Sequence, residues 1–224
     1  MVVQTEPLKS ISIDANYLRA KRVLDITFTL LIAPFVILVG IVVAICIKLD
    51  SKGPVFFRQK RIGQNGVEFE MLKFRSMYVN SDQGAHREKI MKYMNGEKLH
   101  NDEAGNMAYK DVLDPRITRV GRFIRKTSID ELPQFWNVLR GDMTLVGPRP
   151  PLPYEVDLYS AYERQRLIGK PGLTGTWQVY GRSRVTFQNM IEMDLEYLEN
   201  QSLWYDIKLI ILTVPVMVFA RGGA

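Results

Sequence analysis

Apolar residues run without a charged interruption from Ile26 to Ile47, in the order ITFTLLIAPFVILVGIVVAICI. About 20 apolar residues suffice for a helix to cross a bilayer, so the run reads as a membrane element, with a buried core helix as the alternative. It is too long for the apolar part of a signal peptide, and no small-residue cleavage site follows. Pro34, a third of the way in, removes a backbone donor and predicts a kink. Lys9, Arg19, Lys21 and Arg22 precede the run, and Lys48, Lys52, Arg58, Lys60 and Arg61 follow it. Basic flanks stay on the cytoplasmic side. If both flanks obey that rule the segment must turn back, which favours a re-entrant helical hairpin broken at Ala33 and Pro34 over a kinked spanning helix.

Beyond Gly53-Pro54 the pattern changes period. Val55 to Met77 reads as a β-hairpin, with Asn65-Gly66 as the tight turn and Val67, Phe69 and Met71 alternating with other residues. Asn80 to Asp114 is polar and predicts a variable, partly helical surface excursion. Leu132, Phe135, Trp136 and Leu139 recur at helical spacing and predict a helix from Ser128 to Leu139, ended by Gly141. Leu145 to Pro153 is too rich in proline for regular structure. A helix is expected over Glu155 to Ile168, a glycine-punctuated loop over Pro171 to Arg182, and a further helix over Val185 to Asn200. That last helix places Phe187, Met190, Ile191, Asp194 and Tyr197 on related turns. The apolar run Ile207 to Phe219, led in by Trp204 and Tyr205, predicts a helix lying in the membrane interface or packed as core. The fold class is therefore α+β, mainly helical, with an N-terminal segment 1–20, a membrane hairpin 21–50 and a body 51–224.

Composition narrows the chemistry. The 224 residues are 46% hydrophobic, which excludes wholesale disorder. A net charge of +6 points to an anionic partner. No RNA-binding aromatic signature and no zinc-finger spacing is present, so lipid or phosphate is the expected partner rather than nucleic acid. One cysteine, Cys46, excludes an intrachain disulfide, and two histidines, His86 and His100, exclude a histidine metal cage.

The strongest candidate for chemistry is SIDELPQ, Ser128 to Gln134. Its simplest reading is a capping box, Ser128 with Glu131, at a helix start. The same carboxylates would be ionised by the helix end and by Arg122, Arg125 and Lys126 upstream, which suits attack on a phosphate by Asp130. A second carboxylate, Glu131, can hold Mg²⁺ against phosphate oxygens. Arg149, inside Gly147-Pro148-Arg149-Pro150, offers a planar fork to phosphate from a stiff loop. Lys73 and Arg75 fall on the same side of a strand, and Arg182 follows Gly181; a solvated basic face would explain these equally well. There is no GxxxxGK[ST] loop, no GxGxxG fingerprint and no Asp-x-Asp triplet, so phosphates must be held another way.

From Lys21 to Phe219 the chain resembles the monotopic phosphoglycosyl transferases, the bacterial sugar transferase family. The blocks KRVLD, FFRQKRIG, KFRSM, DPRITRVGRFIRKTSIDELPQFWNVLRGDM, LVGPRP and PGLTGTWQVYGR occur in family order. The resemblance implies a re-entrant helix broken at Pro34 that enters one leaflet of the bacterial inner membrane, with the catalytic part facing the cytoplasm. It implies Asp130 as nucleophile on a UDP-sugar, Glu131 as its Mg²⁺-binding partner, and Arg125 and Arg149 as phosphate ligands. Lys73, Arg75, Gln178 and Arg182 are carried over as substrate-binding residues. The implied acceptor is polyprenyl (undecaprenyl) phosphate, and the products are UMP and a polyprenyl diphosphate sugar for capsule, O-antigen, exopolysaccharide or glycoconjugate synthesis. The length of Asn80 to Asp114 resembles hexose-using members, favouring UDP-glucose or UDP-galactose. An anionic phospholipid surface is a further implied partner, and a homodimer is compatible with the resemblance. Some members carry several N-terminal membrane helices, so the chain is expected to be a compact member or an excised catalytic part. Two other readings remain: a non-catalytic membrane scaffold for polysaccharide export, and a direct glycosyltransferase that releases UDP.

Overall fold

A computed structural model describes residues 11, 14–79, 84–94, 114–181 and 185–219. The apolar run forms the middle of one helix, α1 (Ala15–Asp50), capped at its start by the Asp14 side chain. It is long and apolar enough to cross a membrane. The helix continues through Ala33 and Pro34 without interruption, so the expected break does not divide it in two. Proline removes a single N–H, and in apolar surroundings every other backbone bond is worth keeping.

Strands β1 (Phe56–Ile62) and β2 (Glu68–Phe74) pair antiparallel, Phe56 opposite Phe74 and Ile62 opposite Glu68, as the alternation predicts. Asn65 (φ 56°) and Gly66 (φ 80°) make the reversal, where a small polar residue and a glycine tolerate left-handed backbone. Helices α2 (Gly84–Met94), α3 (Arg119–Lys126) and α4 (Gln134–Arg140) follow. Next come β3 (Thr144–Val146), α5 (Pro153–Val156) and α6 (Ala161–Arg164). Strand β4 (Gly172–Thr174), α7 (Thr176–Tyr180), α8 (Phe187–Asn200) and α9 (Leu203–Phe219) complete the order. Strands β3 and β4 pair in parallel. Their backbones close so tightly that a Cβ on Gly172 would lie 2.1 Å from the Gly147 nitrogen, which requires glycine there.

The core is continuous with the base of α1. Val138, Met143, Leu145, Val146, Leu198 and Leu209 fill its centre. All five α8 residues singled out by spacing are buried. At the near end of α1, Lys21 donates to Asp206 at 2.6 Å and to the Tyr197 hydroxyl at 3.0 Å, and Tyr17 donates to Asp206 at 2.9 Å. Arg22 donates to the carbonyls of Val138 and Leu139 (2.6 Å each), closing the C-terminal turn of α4. Asp25 accepts from Thr144 Oγ1 (2.7 Å) and Leu145 N (2.9 Å) in β3. At the far end Asp50 accepts from Val120 N (3.0 Å), and Val43 and Ile47 pack with Phe74 and Ile124. Between these anchors Leu30, Leu31, Phe35, Leu38, Ile41 and Val42 are each more than half exposed.

Several local expectations change. The helix predicted from Ser128 starts only at Gln134, after a 3₁₀ turn (Ile129–Glu131). That delay rotates the buried face to Gln134, Asn137 and Val138 and leaves Trp136 56% exposed. Glu155 to Ile168 is two short helices and a 3₁₀ turn, because a Ser160–Glu163 capping box starts a new helix. The loop expected over Pro171 to Arg182 contains β4 and α7. Helix α9 buries Asp206 and Leu209 while Trp204 is 75% exposed, so it packs on the body and also presents an apolar outer face. Of Asn80 to Asp114, residues 84–94 form α2, and most of the remainder, with His100, lies outside the described residues.

Removing one partner of a buried ion pair strands the other charge, at a cost of about 3–5 kcal/mol. Lys21→Met is therefore expected to lower thermal stability strongly in detergent, and Lys21→Met with Asp206→Leu to recover much of the loss, as read by thermal unfolding.

Candidate active site

The site forms where β2, the 3₁₀ turn and the loops after β3 and β4 meet. Asn137, wholly buried in α4, accepts from Leu72 N (3.0 Å) and donates to Glu70 O (2.7 Å), imitating a strand partner for β2. This stitch lays the Asp130-Glu131 turn against Lys73. The chain enters the turn through Ser128 at φ 55°, ψ 15°, an uncommon conformation for a residue with a Cβ. Ser128 makes no side-chain cap, so the expected capping box is absent. The Glu131 carboxylate instead accepts from Lys73 Nζ at 3.0 Å, in a largely buried pair.

A small open cleft is lined by Arg61, Met71, Lys73, Glu131, Gln134, Arg149, Pro150, Gly172, Leu173 and Gln178. Asp130 does not line it; it is 5% exposed, directly before Glu131 in the chain and within electrostatic reach of Lys73. Burial pushes the Lys73 ammonium below the ordinary lysine value. Glu131 and Asp130 oppose that shift, while the cations Arg149 and Arg61 add to it.

Arg149 sits on a clamped loop. Buried Arg61 donates to Pro150 O (2.8 Å), and Ile62 N donates to Pro151 O (3.0 Å). Arg166, buried against Asp194 and bonded to the Tyr159 hydroxyl at 2.9 Å, donates to Arg149 O at 3.1 Å. The Arg149 guanidinium lies 5.9 Å from the centre of the Trp177 ring and has no hydrogen-bond or ion-pair partner among the described residues. It is thus held in place by its backbone with its fork unengaged. Glu155, at the start of α5, faces the same cations: burial pushes its carboxyl up, and Arg61, Arg166 and Arg149 pull it down.

The expected residues therefore divide. Lys73, Glu131, Arg149 and Gln178 meet in the cleft. Arg75 does not: it follows β2 and donates to Ser51 O (2.7 Å) and Lys52 O (2.8 Å), securing the exit from α1. Once β2 ends at Phe74, strand alternation no longer sets where Arg75 points. Arg125, in the last turn of α3, is half-buried and does not line the cleft. Arg182 lies outside the described residues. Arg61, Gln134 and Glu155 were not singled out from the chain; Arg61 is one of five basic residues after the apolar run, and no spacing separates it from the others.

A Mg²⁺ ion fits the donor chemistry. Asp130 and Glu131 are adjacent carboxylates, one reaching the cleft, and no group of three acidic, histidine or cysteine side chains forms among the described residues. One or two carboxylates completed by water and phosphate oxygens is the pattern Mg²⁺ prefers to an all-protein cage.

A family model described as bacterial sugar transferase matches residues 16–220. Galactosyl transferase CpsE of Streptococcus agalactiae serotype III (strain NEM316) is 45% identical over 209 residues, 93% of this chain and 44% of that protein. The undecaprenyl-phosphate galactose phosphotransferase of Salmonella typhimurium (strain LT2) is 39% identical over 213 residues, 92% of this chain and 42% of that protein. The UDP-glucose:undecaprenyl-phosphate glucose-1-phosphate transferase of Caulobacter vibrioides is 39% identical over 224 residues, 95% of this chain and 73% of that protein. The chain thus spans less than half the length of the first two relatives.

Because Glu131 supports the charge on Lys73, Glu131→Gln is expected to lower the Lys73 pKa further. The pH dependence of Lys73 modification by an amine reagent, read by peptide mass spectrometry, should move to lower pH in the variant.

Proposed function

The chain belongs to the bacterial sugar transferase family, and from that premise we propose that it transfers a hexose 1-phosphate from a UDP-sugar to a polyprenyl phosphate, releasing UMP. The observation that carries this reading is the cleft itself. It sets Glu131 against Lys73, Arg61 and the unengaged fork of Arg149, a cationic seat for phosphates, with buried Asp130 next to Glu131 in the chain as the proposed nucleophile. UDP-glucose and UDP-galactose are the favoured donors, in keeping with the names of the relatives.

In the proposed reaction an Asp130 carboxylate oxygen attacks the β-phosphorus of the donor. The bond from that phosphorus to the oxygen bridging the two phosphates breaks, and UMP leaves with the bridging oxygen. An oxygen of the polyprenyl phosphate then attacks the same phosphorus, forming the diphosphate and regenerating Asp130. Splitting the transfer in two lets one nucleophile serve a soluble donor and a lipid acceptor in turn. Arg149 and Lys73 orient the phosphates and balance their charge, and Arg61 holds the Arg149 loop. Asp130 and Glu131 would hold Mg²⁺, which when bound neutralises charge on the diphosphate.

Membrane placement on the cytoplasmic face of the bacterial inner membrane is part of the proposal. Both ends of α1 are tied to one body, at Lys21, Arg22 and Asp25 and again at Asp50, while the apolar middle is exposed. A helix so tethered supports entry and return on one side, with Pro34 at the deepest part. On α3, next to the far anchor, Arg119, Arg122, Phe123 and Lys126 are exposed on one face, which suits an anionic phospholipid surface.

Asp130→Asn is expected to cut UMP release to below about one thousandth of the wild-type rate and to abolish retention of labelled phosphosugar on the protein. UDP in place of UMP would show direct glycosyl transfer instead. In a Cys46→Ser background, cysteines placed at Thr5 and Lys52 are both expected to react only from the cytoplasmic side. Labelling of either from the periplasm of intact cells would defeat the one-leaflet arrangement.

A further inference from the structure

Most polar groups facing the cleft are of one kind. Arg61, Lys73 and Arg149 can only donate hydrogen bonds, and the Glu131 carboxylate is engaged by Lys73. Two amides, Gln134 and Gln178, carry an acceptor as well, and of these Gln178 is the one whose acceptor is buried and unmet. Its Nε2 donates to Leu173 O at 3.3 Å, which settles the orientation of the amide, since the reverse would set two acceptors against each other. Its side chain lines the cleft, and its Oε1 is buried with no hydrogen-bond donor among the described residues. A Cβ on Gly175 would lie 3.2 Å from that oxygen, so the glycine leaves it room.

A buried acceptor left without a donor costs about 1–3 kcal/mol. One that borders a cleft therefore points to a ligand group that fills it. The diphosphate oxygens of a UDP-sugar carry no hydrogen near neutral pH and bring only lone pairs, so they cannot serve Oε1. Building on the UDP-sugar reading, we propose that Gln178 is a specificity residue whose Oε1 accepts a hydrogen bond from an O–H or N–H group of the sugar nucleotide. Gln178 is thereby distinguished from the cations around it, which seat the phosphates. A UDP-sugar offers such donors in two places, the hydroxyls of the hexose and the ribose hydroxyls or imide N–H of uridine.

Gln178→Leu tests this, because it keeps nearly the same volume and removes the unsatisfied oxygen. The thermal midpoint of the ligand-free variant should equal or exceed that of the wild type. Its kcat/KM for UMP release from the preferred UDP-sugar should fall about three- to tenfold, the worth of one hydrogen bond. If the UDP affinity measured by calorimetry is unchanged, the group read is on the hexose, and deoxy-hexose donors should show the same loss in the wild type but no added loss in the variant. If UDP affinity falls in parallel, the group is on uridine. An unchanged kcat/KM, or a loss matched by a lowered thermal midpoint, would overturn the assignment. Failure of the wild type to release UMP from any UDP-sugar would remove the donor reading and the Gln178 assignment with it. Release by the wild type with an unaffected variant would remove the Gln178 assignment alone.

Discussion

Asp206 is fully buried, and on its carboxylate converge the Lys21 ammonium and the hydroxyls of Tyr17 and Tyr197. A carboxylate in so dry a place is tolerable only when every lone pair is met, so the network forms as a whole or not at all. It joins α1, α8 and α9. Next to Lys21 on α1, Arg22 closes α4, and one turn further Asp25 grips β3. The 3₁₀ turn with Asp130 and Glu131 leads directly into α4, and the Arg149 loop leaves directly from β3. The foot of the apolar helix is thereby coupled to both walls of the cleft, and the polar residues in the KRVLD block act as its fastening.

The cleft uses its arginines in two ways. Arg61 and Arg166 are buried and spend their donors on the carbonyls of Pro150 and Arg149, fixing the backbone of the loop. Arg149, between those two carbonyl contacts, keeps its own guanidinium unengaged beside Trp177. Fixing the backbone while leaving the fork unoccupied removes most of the entropy cost of meeting an anion later. Glu155 tempers the accumulated positive charge without pairing at short range to any of the three. Across the cleft, Lys73 is held to Glu131, so the acidic turn and the cationic wall each define the position of the other.

The apolar middle of α1 is the counterpart of this polar foot. Its side chains are exposed where the body offers them no partner, whereas residues at both ends are built into the core. So large an exposed apolar surface marks an interaction site, which the proposed membrane placement assigns to lipid. In the proposed one-leaflet arrangement, with both ends of the helix fastened to a single body, the cleft would stay close to the membrane surface, within reach of the proposed water-soluble donor and lipid-borne acceptor.

Much of this was legible in the chain because it depends on local physics. An uncharged run of 22 residues, Ile26 to Ile47, specifies an apolar helix through backbone hydrogen bonding alone. Period-two alternation around Asn65-Gly66 specifies the hairpin, and the spacing of Phe187, Met190, Ile191 and Asp194 specifies the buried face of α8. The family blocks brought Asp130, Glu131, Arg149 and Gln178 into view together. What only the tertiary structure decided depends on contacts distant in sequence. Lys73 draws Glu131 away from the cap that local rules assign it, across 58 positions, and the delayed start of α4 follows from that turn. Arg75 and Lys73 share a motif but serve different partners, Lys73 the acidic turn and Arg75 the exit from α1, because the strand stops between them. The buried roles of Arg61, Arg166 and Asp206 are invisible along the chain, since a charge is made tolerable by partners that folding brings together and not by its neighbours in sequence.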